Sequence, residues 1–194
     1  MSIQECNRFR IHQRFTALIN RFDVYDDQDE LIGFTEQKRF NLRESVTVWK
    51  SEGKDQALFT IAAEKVFDIH GKYFVVDENG QVVGYLRKVF MRSLIRSTWG
   101  AYDTNDTLLY EAIEKNLLFA LLRRIGAPIE FLGELLVQLP QSFVLKKDNK
   151  VVGYHRRLWG IRDKYEIAVE GEAQKSDKRI LLALGLLLDI LQRR

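Results

Sequence analysis

Apolar and polar positions alternate over short stretches for most of the chain, and this period of two predicts β strands joined by tight turns. Val75-Val76, Asp77-Glu78-Asn79-Gly80 and Val82-Val83 read as one hairpin, because Asn-Gly supplies the positive φ of a strand-matching turn. The layout recurs. Val24-Tyr25 leads through Asp26-Asp27-Gln28-Asp29 to Leu31-Ile32, Ala101-Tyr102 leads through Asp103-Thr104-Asn105-Asp106 to Leu108-Leu109, and a further copy runs from Phe143 to Val152. Val46–Trp49, Ala57–Ala62 and Tyr165–Val169 are further strands; in the last, Glu166 and Ala168 fall on the outer, polar side. Phe74–Lys88 aligns without a gap with Phe143–Arg157 at an offset of 69 residues. The matches Phe74/Phe143, Val75/Val144, Val82/Val151, Val83/Val152, Gly84/Gly153, Tyr85/Tyr154 and Arg87/Arg156 predict internal duplication.

The period changes twice. Between Glu111 and Leu139, Ala112, Ile113, Leu117, Leu118, Ala120, Leu121 and Leu122 recur at helical spacing, with Arg123-Arg124 and Gly126 as a stop and a shorter helix over Ile129–Leu136. This predicts a helical insertion near 111–139. From Ser176 or Asp177 as N-cap to Leu191 runs a second helical segment. Its stretch Ile180–Leu188 has no polar position, so at 3.6 residues per turn the helix has no face to show to water. A helix at 177–191 buried all round, in a chain otherwise made of hairpins, is best enclosed by a closed sheet, which also removes sheet edges. The predicted fold is therefore mainly β, a closed antiparallel barrel around a central helix, as one domain over 1–194.

Composition agrees and narrows the function. Thirty Lys plus Arg against twenty-seven Asp plus Glu give +3 over 194 residues, with 46% hydrophobic positions, which excludes disorder and disulfide scaffolds. The single Cys6 needs no oxidising compartment, and MSIQECNRFRIHQRF has no signal-peptide core, so a cytoplasmic location is expected. Ile180–Leu188 is far short of the about 20 apolar residues of a membrane span.

No catalytic constellation is visible. His12, His70 and His155 have no Ser, Cys or acid at a recognised spacing, and His70 beside Asp68 reads as a solvated turn residue. There is no C-x-x-C, EF-hand loop, G-x-x-x-x-G-K or G-x-G-x-x-G, so no metal or other cofactor is expected. The basic residues carry the functional signal. Arg87, Lys88, Arg92 and Arg96 have no acid among them, and Lys146, Lys147, Lys150, Arg156, Arg157, Arg162 and Lys164 outnumber Asp148 and Asp163. Arg123-Arg124 and Arg193-Arg194 are better read as helix C-terminal cations. Trp49, Trp99 and Trp159 are expected in the core or at its rim.

With these residues in view the chain resembles the tubby C-terminal-like superfamily, in particular the phospholipid scramblases and LURP-one-related proteins. The likeness covers most of the chain. It is carried by the Val24-Tyr-Asp hairpin with Gln37-Lys-Arg-Phe40, by Tyr73-Phe-Val-Val-Asp-Glu-Asn-Gly-Gln-Val-Val-Gly84, by Leu86-Arg-Lys with Arg92–Trp99, and by Asp177-Lys…Ala-Leu-Gly-Leu-Leu-Leu-Asp189. The resemblance implies a barrel of about twelve strands around the C-terminal helix. It also implies a basic surface of Arg87, Lys88, Arg92, Arg96, Arg156 and Arg157 for anionic phospholipid or phosphoinositide headgroups, with the protein peripheral at a membrane. The Pro-rich tail, cysteine cluster and acidic calcium loop of animal scramblases are absent, only Val169-Glu-Gly-Glu-Ala-Gln-Lys-Ser-Asp177 standing where that loop would be. Binding is thus expected rather than translocation or catalysis. The alternative is a regulatory scaffold whose protein partner sits on the 111–139 helices; nucleic-acid binding is the weakest reading, because +3 is a modest footprint.

Overall fold

The computed structural model describes residues 2–15, 19–38, 45–64, 71–89, 97–115, 142–158 and 164–192. Among these, twelve strands form one closed antiparallel barrel: β1 (Arg8–Phe15), β2 (Ile19–Tyr25), β3 (Leu31–Lys38), β4 (Val46–Trp49), β5 (Ala57–Ala63), β6 (Lys72–Asp77), β7 (Val82–Lys88), β8 (Thr98–Tyr102), β9 (Leu108–Glu114), β10 (Phe143–Lys147), β11 (Lys150–Leu158) and β12 (Lys164–Val169). Each strand pairs with its neighbours in sequence, and β1 pairs with β12 to close the ring. The helix α1 (Lys178–Gln192) runs through the middle, with every described side chain from Ile180 to Ile190 buried apart from Gly185, which has none. Inward-facing Phe9, Ile11, Val24, Val48, Phe59, Val75, Leu86, Ala101, Tyr110, Leu145 and Ile167 surround it.

Five hairpins turn at one end of the barrel, and all five carry the same irregularity. The pairings Val24↔Gly33 and Tyr25↔Leu31 leave Ile32 as an extra residue, and Leu58, Val83, Leu109 and Val152 are extra in the same way. A bulge bends its strand and sharpens the twist, which is what closing a sheet requires. Here it also turns an apolar side chain toward the interior: Ile32, Leu58, Val83, Leu109 and Val152 all pack against the core. In β3, β7 and β11 the residue after the extra one is Gly33, Gly84 or Gly153. A Cβ at these positions would lie 2.8 Å from the Trp49 carbonyl oxygen, 2.4 Å from that of Tyr102 and 2.1 Å from that of Ala168. The same close approach thus recurs on every fourth strand, at three places around the ring.

The gapless alignment of that duplication fails in its first strand. Gly84 pairs with Val75 but Gly153 pairs with Leu145, one residue later than an offset of 69 allows. The cause is the turn. Asp77 N–H donates to Gln81 O across three residues ending in Gly80 at φ +81°, whereas Lys147 pairs Lys150 across Asp148-Asn149, both at positive φ. A slip of one residue exchanges faces, so Phe74 lies outside against Tyr85 while Phe143 is buried in the core.

Three turns share one lock. Asp26, Asp77 and Asp103 each accept two backbone N–H bonds through Oδ1, from the residues two and four further on, at 2.8–2.9 Å. The residue needing φ near +60° is Asp29 in the first and Asp106 in the third, where the second has Gly80. Asp177 caps α1, its Oδ1 accepting the Arg179 N–H at 2.9 Å, and Gln4 braces that cap from the N-terminal segment.

Two boundaries differ from expectation. Glu111–Glu114 are not helical but complete β9, where Tyr110, Ala112 and Glu114 are buried alternately with their neighbours; an apolar spacing of two had been read as part of a helical period. The rest of the insertion, 116–141, lies outside the described residues. The outer side of β12 is covered rather than solvated, since Glu166 is buried beneath Tyr154, Arg10 and Arg156.

Candidate functional site

Strand alternation decides where the expected basic residues point. On β11, Arg157 shares the inner register with His155 and Gly153, while Arg156 faces outward beside Tyr154. On β7, Lys88 shares the inner register with Leu86, and Arg87 faces outward. Each pair adjacent in sequence is therefore split between two faces. β7 and β11 are four strands apart in the ring, about 19 Å along the sheet at the usual strand spacing. Arg87 and Arg156 cannot grip one headgroup together. Arg92 and Arg96 lie outside the described residues, as do His70, Trp159, Arg123-Arg124 and Arg193-Arg194.

The outward arginines are already engaged. Arg87 lies over the Tyr102 ring, 5.2 Å from its centroid, and donates to Tyr102 Oη at 3.3 Å. Arg156 donates to Glu166 Oε1 at 2.8 Å, Arg10 donates to Oε2 at 3.3 Å, and Tyr154 Oη donates to Oε1 at 2.8 Å. Burial pushes the Glu166 carboxyl up, yet these three donors hold it below its ordinary range. Next to it, Arg14 and Arg21 share buried Asp23. Acids from the turns, Asp29 on Arg10 and Glu52 on Arg21, complete an ion-pair lattice over the outer wall of β1, β2, β11 and β12.

Further cations stand at the end opposite the hairpin turns. There β7 ends in exposed Lys88, β11 ends in Arg157-Leu158, and Lys115 follows β9 exposed. Of the five turns at the other end, Asp26–Glu30, Asp77–Gln81 and Asp103–Thr107 contain no Lys or Arg, whereas Lys50 and Lys54 stand in the β4–β5 turn and Lys146, Lys147 and Lys150 at the β10–β11 turn. Lys88 and Arg157, equivalent in the hairpin repeat, stand on the rim of this end.

The two described histidines, His12 and His155, form no catalytic pair. The His12 ring lies 4.4 Å from that of Tyr25 on the outer wall, its pKa lowered by burial and by Lys164. His155 is buried inside the barrel, stacked on Tyr165 and edge-on to Phe143, with neither ring nitrogen hydrogen-bonded. Burial pushes its pKa down to about 4. The unfolded chain takes up this proton near pH 6.5 and the folded chain only near 4, so between those values the unfolded state holds more protons. Stability then falls as the pH is lowered from about 6.5 to about 4, by about 1.4 kcal/mol per unit and about 3 kcal/mol in all. Urea melts of His155→Leu, which places at β11 the residue that Leu86 supplies at β7, are expected to lack this part of the acid sensitivity while Glu166 still contributes its own. Cys6 is buried and its thiol is pushed up to about 11, first by burial and then by Asp27 and Asp26, so it is not a nucleophile. Among the described residues no group of His, Cys, Asp and Glu is placed to hold a metal, and no helix is long and apolar enough to cross a membrane.

Sequence reasoning singled out Arg87, Lys88, Arg156 and Arg157 but missed the Tyr102 phenol that engages Arg87 and the Glu166 carboxylate that holds Arg156. The period of two was the available signal: Glu166 faces Arg10 and Arg156 in register on both sides. Comparison with known proteins gives one match, the family described as LURP-one-related, over residues 31–189. No curated protein and no solved structure matches the chain.

Proposed function

The chain belongs to the LURP-one-related family, within the tubby C-terminal-like superfamily, and from that premise we propose that it is a non-enzymatic module that docks on anionic lipid headgroups. The observation supporting this reading is the set of cations at the end opposite the hairpin turns, where exposed Lys88 closes β7, Arg157 stands near the end of β11 and exposed Lys115 follows β9. Such a set favours an anionic surface, because each cation close to the membrane gains about 1 kcal/mol. Lys88 and Arg157 make the headgroup contacts. Arg87 and Arg156, tied to Tyr102 and Glu166, act mainly on the local field. The buried helix has no part in moving lipid across the membrane, since leaving the barrel would expose its whole apolar surface.

Co-sedimentation with vesicles tests this. Binding is expected to phosphatidylserine- or phosphoinositide-containing vesicles and not to neutral ones, and it should weaken as salt is raised. K88E/R157E should lose at least about 30-fold in affinity, the equivalent of about 2 kcal/mol for two cations, while R87E/R156E loses less. Equal binding to neutral vesicles, or an undiminished K88E/R157E, would overturn the proposal.

A further inference from the structure

Among the described residues three large apolar side chains are exposed, Leu31 at 52%, Val82 at 45% and Val151 at 65%. They share one structural position. Each directly precedes the extra residue of its bulge, Ile32, Val83 or Val152, at the end of the barrel where the hairpins turn. β3, β7 and β11 are four strands apart in a ring of twelve, so the three lie a third of the ring from one another. A single exposed apolar residue is ordinary, but three at one level make a surface of defined geometry. Their surroundings differ in charge. Leu31 follows Asp26-Asp27-Gln28-Asp29-Glu30, and Val151 adjoins Lys146, Lys147 and Lys150 against Asp148. Val82 follows Asp77 and Glu78, which Arg179 already faces at 3.9 and 3.4 Å.

We propose that this end of the barrel docks a second copy of the chain, turn end against turn end, about a two-fold axis perpendicular to the barrel axis. Such an axis reverses the order of positions around the ring. When it passes through one of the three apolar positions it brings that position onto itself and exchanges the other two. Charge selects among the three choices. An axis through Leu31 sets the most acidic turn on its own copy, and one through Val151 sets lysines on lysines, which is repulsive in both cases. An axis through Val82 sets Leu31 against Val151 of the second copy twice, with exposed Glu30 and exposed Lys150 on opposite sides of each contact. It also sets the β4–β5 turn, which carries Lys50 and Lys54, against the acidic turn Asp103–Thr107. Strands about 4.8 Å apart and tilted about 40° make a twelve-strand ring of radius about 12 Å. With about 5 Å of side chain beyond it, each end offers about 900 Å², close to the roughly 800 Å² per partner of a standard interface. Few apolar anchors lie within that area, so the dimer is a reversible one. The ends carrying Lys88 and Arg157 face away from each other in it, so the contact does not depend on the lipid reading.

Sedimentation velocity of the full chain over a micromolar concentration series, without lipid, tests the contact. A reversible monomer–dimer equilibrium is expected, weakened as salt is raised. Glu30→Lys alone and Lys150→Glu alone should each weaken dimerisation at least about tenfold, because each sets like charges face to face. The two changes together in one chain should restore it, since every contact then joins opposite signs again. Both side chains are exposed, so thermal melts of the three variants should match that of the parent chain. A monomer at every concentration in low salt, a dimer that neither single change weakens, or a loss that the double change does not restore would overturn the proposal.

Discussion

Leu184→Asp will give no folded protein, and Leu184→Ala will fold with a loss of about 2–5 kcal/mol in urea melts. Leu184 is wholly buried midway along α1, enclosed by the barrel wall. Alanine there leaves a cavity that a closed ring of twelve hydrogen-bonded strands cannot collapse to fill, which puts the loss toward the upper part of that range. Aspartate adds a charge with no partner in register, and the penalty of several kcal/mol rivals the whole stability of an ordinary domain. A soluble, cooperatively melting Leu184→Asp protein would mean that the helix can leave the barrel.

The second large effect is at a glycine. Gly153→Ala is expected to cost about 3 kcal/mol or more, because the new Cβ would lie 2.1 Å from the Ala168 carbonyl oxygen, a backbone atom that no rotamer change can move. Gly84→Ala meets the Tyr102 carbonyl oxygen and Ile180 Cδ1 at 2.4 Å and should behave alike. Gly80→Ala is the control. It has nothing within 4 Å and only its φ of +81° to accommodate, a cost of about 1 kcal/mol. Chemical denaturation of the three variants reads the order directly; equal losses would remove the close-approach explanation.

The central helix was legible because nine positions without a polar break allow no other burial, and the closed barrel followed from it. The turns were legible too, since Asp-x-x-Asp/Gly between apolar pairs admits few conformations. β1 escaped notice although Arg8-Phe-Arg-Ile-His-Gln-Arg-Phe15 alternates cleanly, because its charges were weighed only against a signal peptide. The register of β6 against β10 was not legible: a turn one residue shorter shifts faces without leaving a gap in the repeat. The basic segments were read as linear clusters, but a strand sends neighbours to opposite sides, and only the fold brings Glu166 beneath Arg156 and Arg10. The family match begins at Leu31 and so leaves out β1 and β2, although β1 is the strand that closes the ring against β12.

The order of elements also has a consequence for synthesis. The helix that fills the barrel comes after all twelve strands, and β1 must wait for β12, Arg8 pairing Ala168. At about 5–20 residues per second on the ribosome, the earliest strands spend on the order of 10–30 s with neither their plug nor their closing partner. Nascent chains of this protein therefore carry a long-lived apolar trough, and holdase chaperones that recognise such surfaces should bind until the last turn of the helix has emerged.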